Sequence, residues 1–252
     1  MRIKEDLKMT LYTYLRERAR EHPNRIVRDE TRSMTFSKLF EEAEEIGRTL
    51  SGRLYDILCR SDLDTALLLL ACLSAGKTAV PLSPRYGRAH VEKIRRAAGL
   101  SCILTEQGPL TVGIPSPEEE TLEGIRLILY TSGTTGVPKG AMLADDGLLV
   151  NLLAVEGYFD IRGQIRIARP LYHCAVLMGE FFLSLVKGVD IVFDGGDFQP
   201  LRFSRMRLGK RVPSGDNRIR ARYFKAREQL FHAGNLRAVD GQHFVFLHEQ
   251  LF

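Results

Sequence analysis

The chain has 252 residues, 44% of them hydrophobic, with 36 Lys+Arg against 31 Asp+Glu for a formal net charge of +5. That apolar fraction supports a real core and excludes a disordered tail or a small disulfide scaffold. Residues 1–200 carry net charge −2, so the basic excess sits in residues 201–252, with 11 basic and 4 acidic side chains.

Helices and short apolar strands alternate along the chain. Thr35 can cap a helix whose residues Phe36, Leu39, Phe40, Ala43, Ile46 and Leu50 follow the spacing of one buried face. A second helix is expected from about Ser61, with Asp62 and Asp64 in its first turn and an end at Gly76. Its run Ala66–Leu73 is apolar nearly all round, which places it between layers. Thr78–Leu82 reads as a strand, Ala89–Ala98 as a helix closed by Gly99, and Ser101–Thr105 as a strand. Residues 106–120, rich in Gly, Pro and Glu, read as a surface connection. Ile125–Tyr130 is a strand; a polar glycine-rich loop and then Gly140-Ala141-Met142-Leu143 follow it. Helices are expected over Asp145–Val155 and about Ala175–Val186, and a strand over Val189–Phe193. The alternation predicts an α/β fold of layered, mostly parallel sheets flanked by helices.

The four cysteines, Cys59, Cys72, Cys102 and Cys174, form no CxxC pair and have no His at zinc-like spacing. They read as buried free thiols of a reducing compartment. The opening Met1-Arg2-Ile3-Lys4-Glu5-Asp6 is too charged for a secretory signal. The apolar run at Ala66–Leu73 is well short of the roughly 18 residues that cross a bilayer, so no membrane span and a cytoplasmic location are expected. In the basic tail Arg202, Arg205, Arg207, Lys210, Arg211, Arg218, Arg220 and Arg222 face only Asp216. With no RNA-binding signature there, the run reads as a solvated segment rather than a nucleic-acid surface.

Chemistry concentrates in Tyr130-Thr131-Ser132-Gly133-Thr134-Thr135-Gly136-Val137-Pro138-Lys139-Gly140, where hydroxyls, glycines and one lysine share eleven positions. Glycines let backbone N–H groups converge on an anion, hydroxyls add donors, and the lysine supplies a mobile positive charge. This is not a Walker loop: the GxxxxGK[ST] spacing is absent, Gly140 follows Lys139, and Pro138 with the β-branched residues disfavours a helix start.

The string resembles the phosphate-binding signature of the adenylate-forming superfamily, which includes acyl-CoA synthetases, acyl-AMP ligases, luciferases and peptide-synthetase adenylation domains. Leu11–Pro23 is similar to that family's opening helix and Met34–Leu39 to its Thr-Tyr-x-x-Leu segment. Ala71–Gly76 with Val80–Arg85 resembles its buried helix and following strand, and Arg169-Pro170-Leu171-Tyr172-His173 its Pro-Leu-x-His element. The resemblance covers about residues 10–200 and implies a partial N-terminal domain over 1–200, with 201–252 a divergent basic tail.

By position, the resemblance implies that Thr131, Ser132, Thr134, Thr135 and the amides of Gly133 and Gly136 hold ATP phosphates. Lys139 would steady the departing pyrophosphate and act as the catalytic group. His173 would sit beside the carboxylate substrate, the alternative being a histidine satisfied at a helix start. The implied reaction activates a carboxylic acid, a fatty or other acyl acid, as an acyl-adenylate. Its implied cofactors are ATP, Mg2+ and coenzyme A; a carrier protein is the other possible thiol acceptor, and no protein metal ligands are assigned.

The family's Tyr-Gly-x-Thr-Glu string, hinge and small C-terminal domain are not found in these residues, as expected of a truncated or internally deleted member. Pro213–Asp216, Tyr223–Lys225 and Gly234–Asp240 echo later family segments, but chance agreement is the competing explanation and Asp240 is assigned no role. Two readings stand: an ATP-dependent acid–thiol ligase, or an inactive remnant that still grips a polyphosphate.

Overall fold

A computed structural model describes residues 8–100, 102–105, 107–111, 122–131 and 139–195 of the chain. The Thr10 hydroxyl accepts from the Thr13 amide at 3.1 Å and opens helix α1, Leu11–Arg20. Strands β1 (Ile26–Arg28) and β2 (Ser33–Thr35) pair antiparallel. Asp29 shapes the turn between them, accepting from the amides of Thr31 at 2.7 Å and Arg32 at 2.9 Å.

Thr35 caps helix α2 (Phe36–Arg48) as its spacing predicts, accepting from the Lys38 amide at 3.2 Å. Phe36, Leu39, Phe40 and Ala43 form the buried face, with Ile46 partly buried against it. After strand β3 (Leu54–Leu58), Asp62 caps helix α3 (Leu63–Ser74), accepting from the Thr65 amide at 2.8 Å. Every residue from Thr65 to Leu73 is buried, because α3 packs against α2 on one side and β3 and strand β4 (Thr78–Leu82) on the other. The all-round apolar run therefore lies between layers, as read from the sequence.

Helix α4 (Arg88–Ala98) ends at Gly99, whose φ of +62° is the left-handed conformation expected of a glycine stop. Strands β5 (Cys102–Thr105), β6 (Gly108–Thr111), β7 (Ile125–Thr131) and β8 (Lys139–Ala144) complete a six-stranded sheet in the order β6-β5-β3-β4-β7-β8. Its four inner strands are parallel and the two edge strands antiparallel to their neighbours. Helix α5 (Asp145–Tyr158) leads to strand β9 (Gln164–Ile167). Helix α6 (Cys174–Val176) continues through a π-helical stretch, Leu177–Phe182, into α7 (Leu183–Lys187), and strand β10 (Asp190–Phe193) follows. The second sheet runs β2-β1-β10-β9, with β1, β10 and β9 parallel.

Alternation along β3 and β4 divides the core. Tyr55, Ile57 and Ala79 join the large cluster around α3, whereas Leu54, Val80 and Leu82 pack with Val91 and Ile94 of α4 on the opposite face. Asp56 also faces α4: buried on β3, it accepts from Arg95 Nε at 2.6 Å. This is the α/β architecture of layered, mostly parallel sheets that the sequence predicts.

Three expectations need correction. Gly108–Thr111, read as surface connection, is a strand paired antiparallel with β5; Gly108, at φ +112°, makes the tight turn between them. The helix expected over 175–186 is interrupted by π-helical winding. Cys59 and Cys72 are buried free thiols, but Cys102 and Cys174 are only partly buried. Among the described residues no helix is long and apolar enough to cross a membrane. Residues 132–138 and the basic tail 201–252 lie outside the described residues.

Candidate functional site

Strand β7 carries Leu127 and Ile128 into the two cores and ends at Thr131, where the parallel strands β3 and β4 also end, at Leu58 and Leu82. The C-terminal edge of a parallel sheet is where open α/β folds bind ligands. Strand β8 returns antiparallel, with Thr131 opposite Lys139, Tyr130 opposite Gly140 and Leu129 opposite Ala141. The pairing brings Thr131 and Lys139 together across the two strands at this edge, and Lys139 is exposed. Ser132, Gly133, Thr134, Thr135 and Gly136 lie outside the described residues. A strand follows Lys139, in keeping with the reading that no helix starts there.

Gly140 is required by a close approach. A Cβ at this position would lie 2.8 Å from Ile128 Cγ2 and 2.9 Å from Tyr130 Cζ, both on the facing strand. Tyr130 leans over the bare backbone of Gly140, and burial pushes its phenol above the ordinary tyrosine range.

The segment Arg169–His173 reaches the same edge. The buried Leu171 donates its N–H to the Arg60 carbonyl at 3.2 Å, just beyond the end of β3. The Ser61 hydroxyl donates to the Ile167 carbonyl, joining the end of β9 to the turn after β3. Ser83 forms the corresponding turn after β4, its hydroxyl accepting from the Arg85 amide at 3.2 Å.

His173 immediately precedes α6, and its side chain makes no capping hydrogen bond. Its residue is exposed, with the imidazole tilted against Tyr172 at a centroid distance of 4.1 Å. Partial desolvation first, and then the positive charges of Arg169 and Arg85, hold its pKa below the usual histidine value. That shift favours the neutral imidazole, which donates from one nitrogen and accepts at the other.

Sequence reasoning assigned no part to the charges around this ring. Arg169 donates to the Glu180 carboxylate, so an acid on the π-helical stretch meets a base on the turn before His173. The pair is eleven positions apart, a spacing that ordinary helical patterning does not flag. Arg85 could have been noticed as an arginine in a Ser-Pro-Arg turn directly after a buried strand. Among the described residues no group of three or more His, Cys, Asp or Glu could hold a metal ion.

A family model described as AMP-binding enzyme matches residues 15–207. Feruloyl-CoA synthase of an Amycolatopsis species is 31% identical over 155 residues, 51% of this chain and 32% of that protein. Tyrocidine synthase 1 of Brevibacillus parabrevis is 23% identical over 214 residues, 72% of this chain and 20% of that protein. MatB from Rhodopseudomonas palustris superposes with a TM-score of 0.63 in its apo form and 0.61 with ATP bound; at 20% identity, each comparison covers 76% of this chain and 46% of that one. The structural likeness is one of fold, and the chain spans under half the length of each of these relatives. The family match takes in most of the residues, including both strands that flank the glycine-rich segment and the turn bearing His173, and on it the chain belongs to the AMP-binding enzyme family.

Proposed function

We propose that this chain carries the phosphate-binding and acid-facing portions of a site at which ATP activates a carboxylic acid, a fatty or other acyl acid. The observation that carries the reading is the meeting of Thr131 and Lys139 at the C-terminal edge of a parallel sheet, the edge that the His173 turn also reaches, in a chain of this family. In this reading residues 1–200 form the partial adenylate-forming domain.

The chemistry follows from the charges. A carboxylate oxygen attacks the α-phosphorus of ATP; the new carbon–oxygen–phosphorus linkage forms as the bond to pyrophosphate breaks. Negative charge grows on the departing pyrophosphate, and the Lys139 ammonium offsets it. Thr131, Ser132, Thr134 and Thr135, with the amides of Gly133 and Gly136, hold the β- and γ-phosphates in line. The neutral imidazole of His173 donates to the acid without capturing it as an ion pair. A thiol of coenzyme A or of a carrier protein then attacks the acyl carbon and AMP leaves. Mg2+ brought with ATP would supply further charge neutralisation, and no residue of this chain is assigned to hold it.

A second reading is a chain that binds a polyphosphate through the segment between β7 and β8 without activating an acid. Exchange of labelled pyrophosphate into ATP, driven by a panel of straight-chain and aromatic acids, separates the two. Acid-dependent exchange lost in Lys139→Ala supports the ligase. ATP binding without exchange supports the second reading, and no ATP binding overturns both.

A further inference from the structure

We propose that Arg169 and Glu180 are positioning residues for His173: their ion pair ties the start of the 169–173 turn to the π-helical stretch and sets where the imidazole stands at the sheet edge. The inference rests on the acid-facing reading of His173 and adds the residues that prepare it.

Four contacts fix the turn. Leu171 is fully buried and its N–H bonds the Arg60 carbonyl at 3.2 Å. The His173 N–H donates to the Pro170 carbonyl at 3.3 Å, and the His173 carbonyl accepts from Val176 at 3.0 Å and Leu177 at 2.9 Å. Those bonds fix the backbone of residues 170–177 but place no side-chain tie on Arg169, where the turn begins. The Arg169–Glu180 pair supplies that tie, to the π-helical stretch. Glu180 is the better-placed anchor, its side chain 15% exposed against 56% for Arg169, and its carbonyl accepts from the Ser184 hydroxyl at 2.5 Å. The π-helical winding shifts the side-chain register beyond Val176, so where Glu180 emerges depends on that local widening.

The same pair sets the field at the ring. The groups facing His173 are Arg169 on its own turn, Arg85 on the turn after β4 and the Tyr172 ring; Tyr86 lies near Tyr172, and Arg60 contributes a carbonyl to Leu171. Glu180 holds Arg169 in place, and an arriving carboxylate meets the Arg169 and exposed Arg85 guanidinium groups, which both act on the ring, beside His173.

The test is an NMR titration of His173 in the full chain. Arg169→Gln removes a positive charge and should raise the His173 pKa by a few tenths of a unit. Glu180→Gln uncovers that charge and should lower it; both should change the ring-current shift imposed by Tyr172. Arg169→Lys keeps charge and reach and should titrate as the parent does, whereas a purely structural role would make it resemble Arg169→Gln. Wild-type titration and ring-current shifts in both Gln variants would overturn the proposal, as would a rise in Glu180→Gln. Sodium hexanoate, with hexanamide as the uncharged control, separates the proposal from the functional reading. A carboxylate-specific response of His173 that needs several-fold more hexanoate in Arg169→Gln, which loses both the tie and a positive charge, supports both. No response in the parent, with titrations displaced as described, defeats the acid-facing reading and leaves the positioning pair standing.

Discussion

Gly140 shows how one small residue fixes the strand pairing of its neighbour Lys139. Ile128 and Tyr130 occupy the space that a side chain at 140 would need, so Gly140→Val must push apart the strands that bring Lys139 to Thr131. The expected loss is about 1–3 kcal/mol of unfolding free energy, measured by urea denaturation. His173 gives a pH signature at the same scale. Its folded pKa lies below 6.5, so its contribution to stability is present above pH 6.5 and is lost as pH falls through the lower folded value. The stability difference between the parent and His173→Gln should therefore shrink on acidification below 6.5; a flat difference would contradict the desolvated, arginine-flanked ring. Lys139 and His173 were legible as candidates because they stand in ordered strings. Asp56 with Arg95, and Arg169 with Glu180, were not, because nothing in the local pattern says which distant charges the fold will join.

Helices α2, α3 and α4 were readable because Thr35, Asp62 and Gly99 punctuate them and apolar spacing fills them. Strands β1 and β2, of three residues each, are too short to display a period, and β3 was hidden by Asp56 in an otherwise apolar run. Asp56 is also the buried partner of Arg95. Burial raises its pKa although Arg95 opposes the shift, so with a folded pKa above the unfolded value of 3.8, ionising it as pH rises costs stability. Arg95→Met leaves the buried carboxylate unpaired and should cost about 3–5 kcal/mol at pH 7, with part recovered on acidification as Asp56 takes up a proton. Equal losses at pH 7 and pH 4.5, by denaturant titration, would count against a buried ionised pair. In α3, Leu70 is fully buried between the layers; Leu70→Ala should cost about 2–5 kcal/mol, and a loss under 1 kcal/mol would mean that α3 is not enclosed.

Across the molecule, two sheets with helices between and outside them place the ends of β3, β4 and β7 and the His173 turn along one edge. The layered fold was legible from the alternation of elements, but the gathering of residues 60, 85, 131, 139 and 173 at that edge required the strand order and the parallel directions, which no local pattern encodes. In the function proposed for it, this edge grips the triphosphate of a nucleotide where β7 and β8 bring Thr131 opposite Lys139. Calorimetric titration of the full chain with ATP and Mg2+, beside Lys139→Ala, tests it most directly. Expected is saturable binding to the parent that weakens at least about tenfold, or about 1.4 kcal/mol, without the lysine. Identical affinities for the two proteins, or no heat of binding to the parent at millimolar ATP, would contradict it.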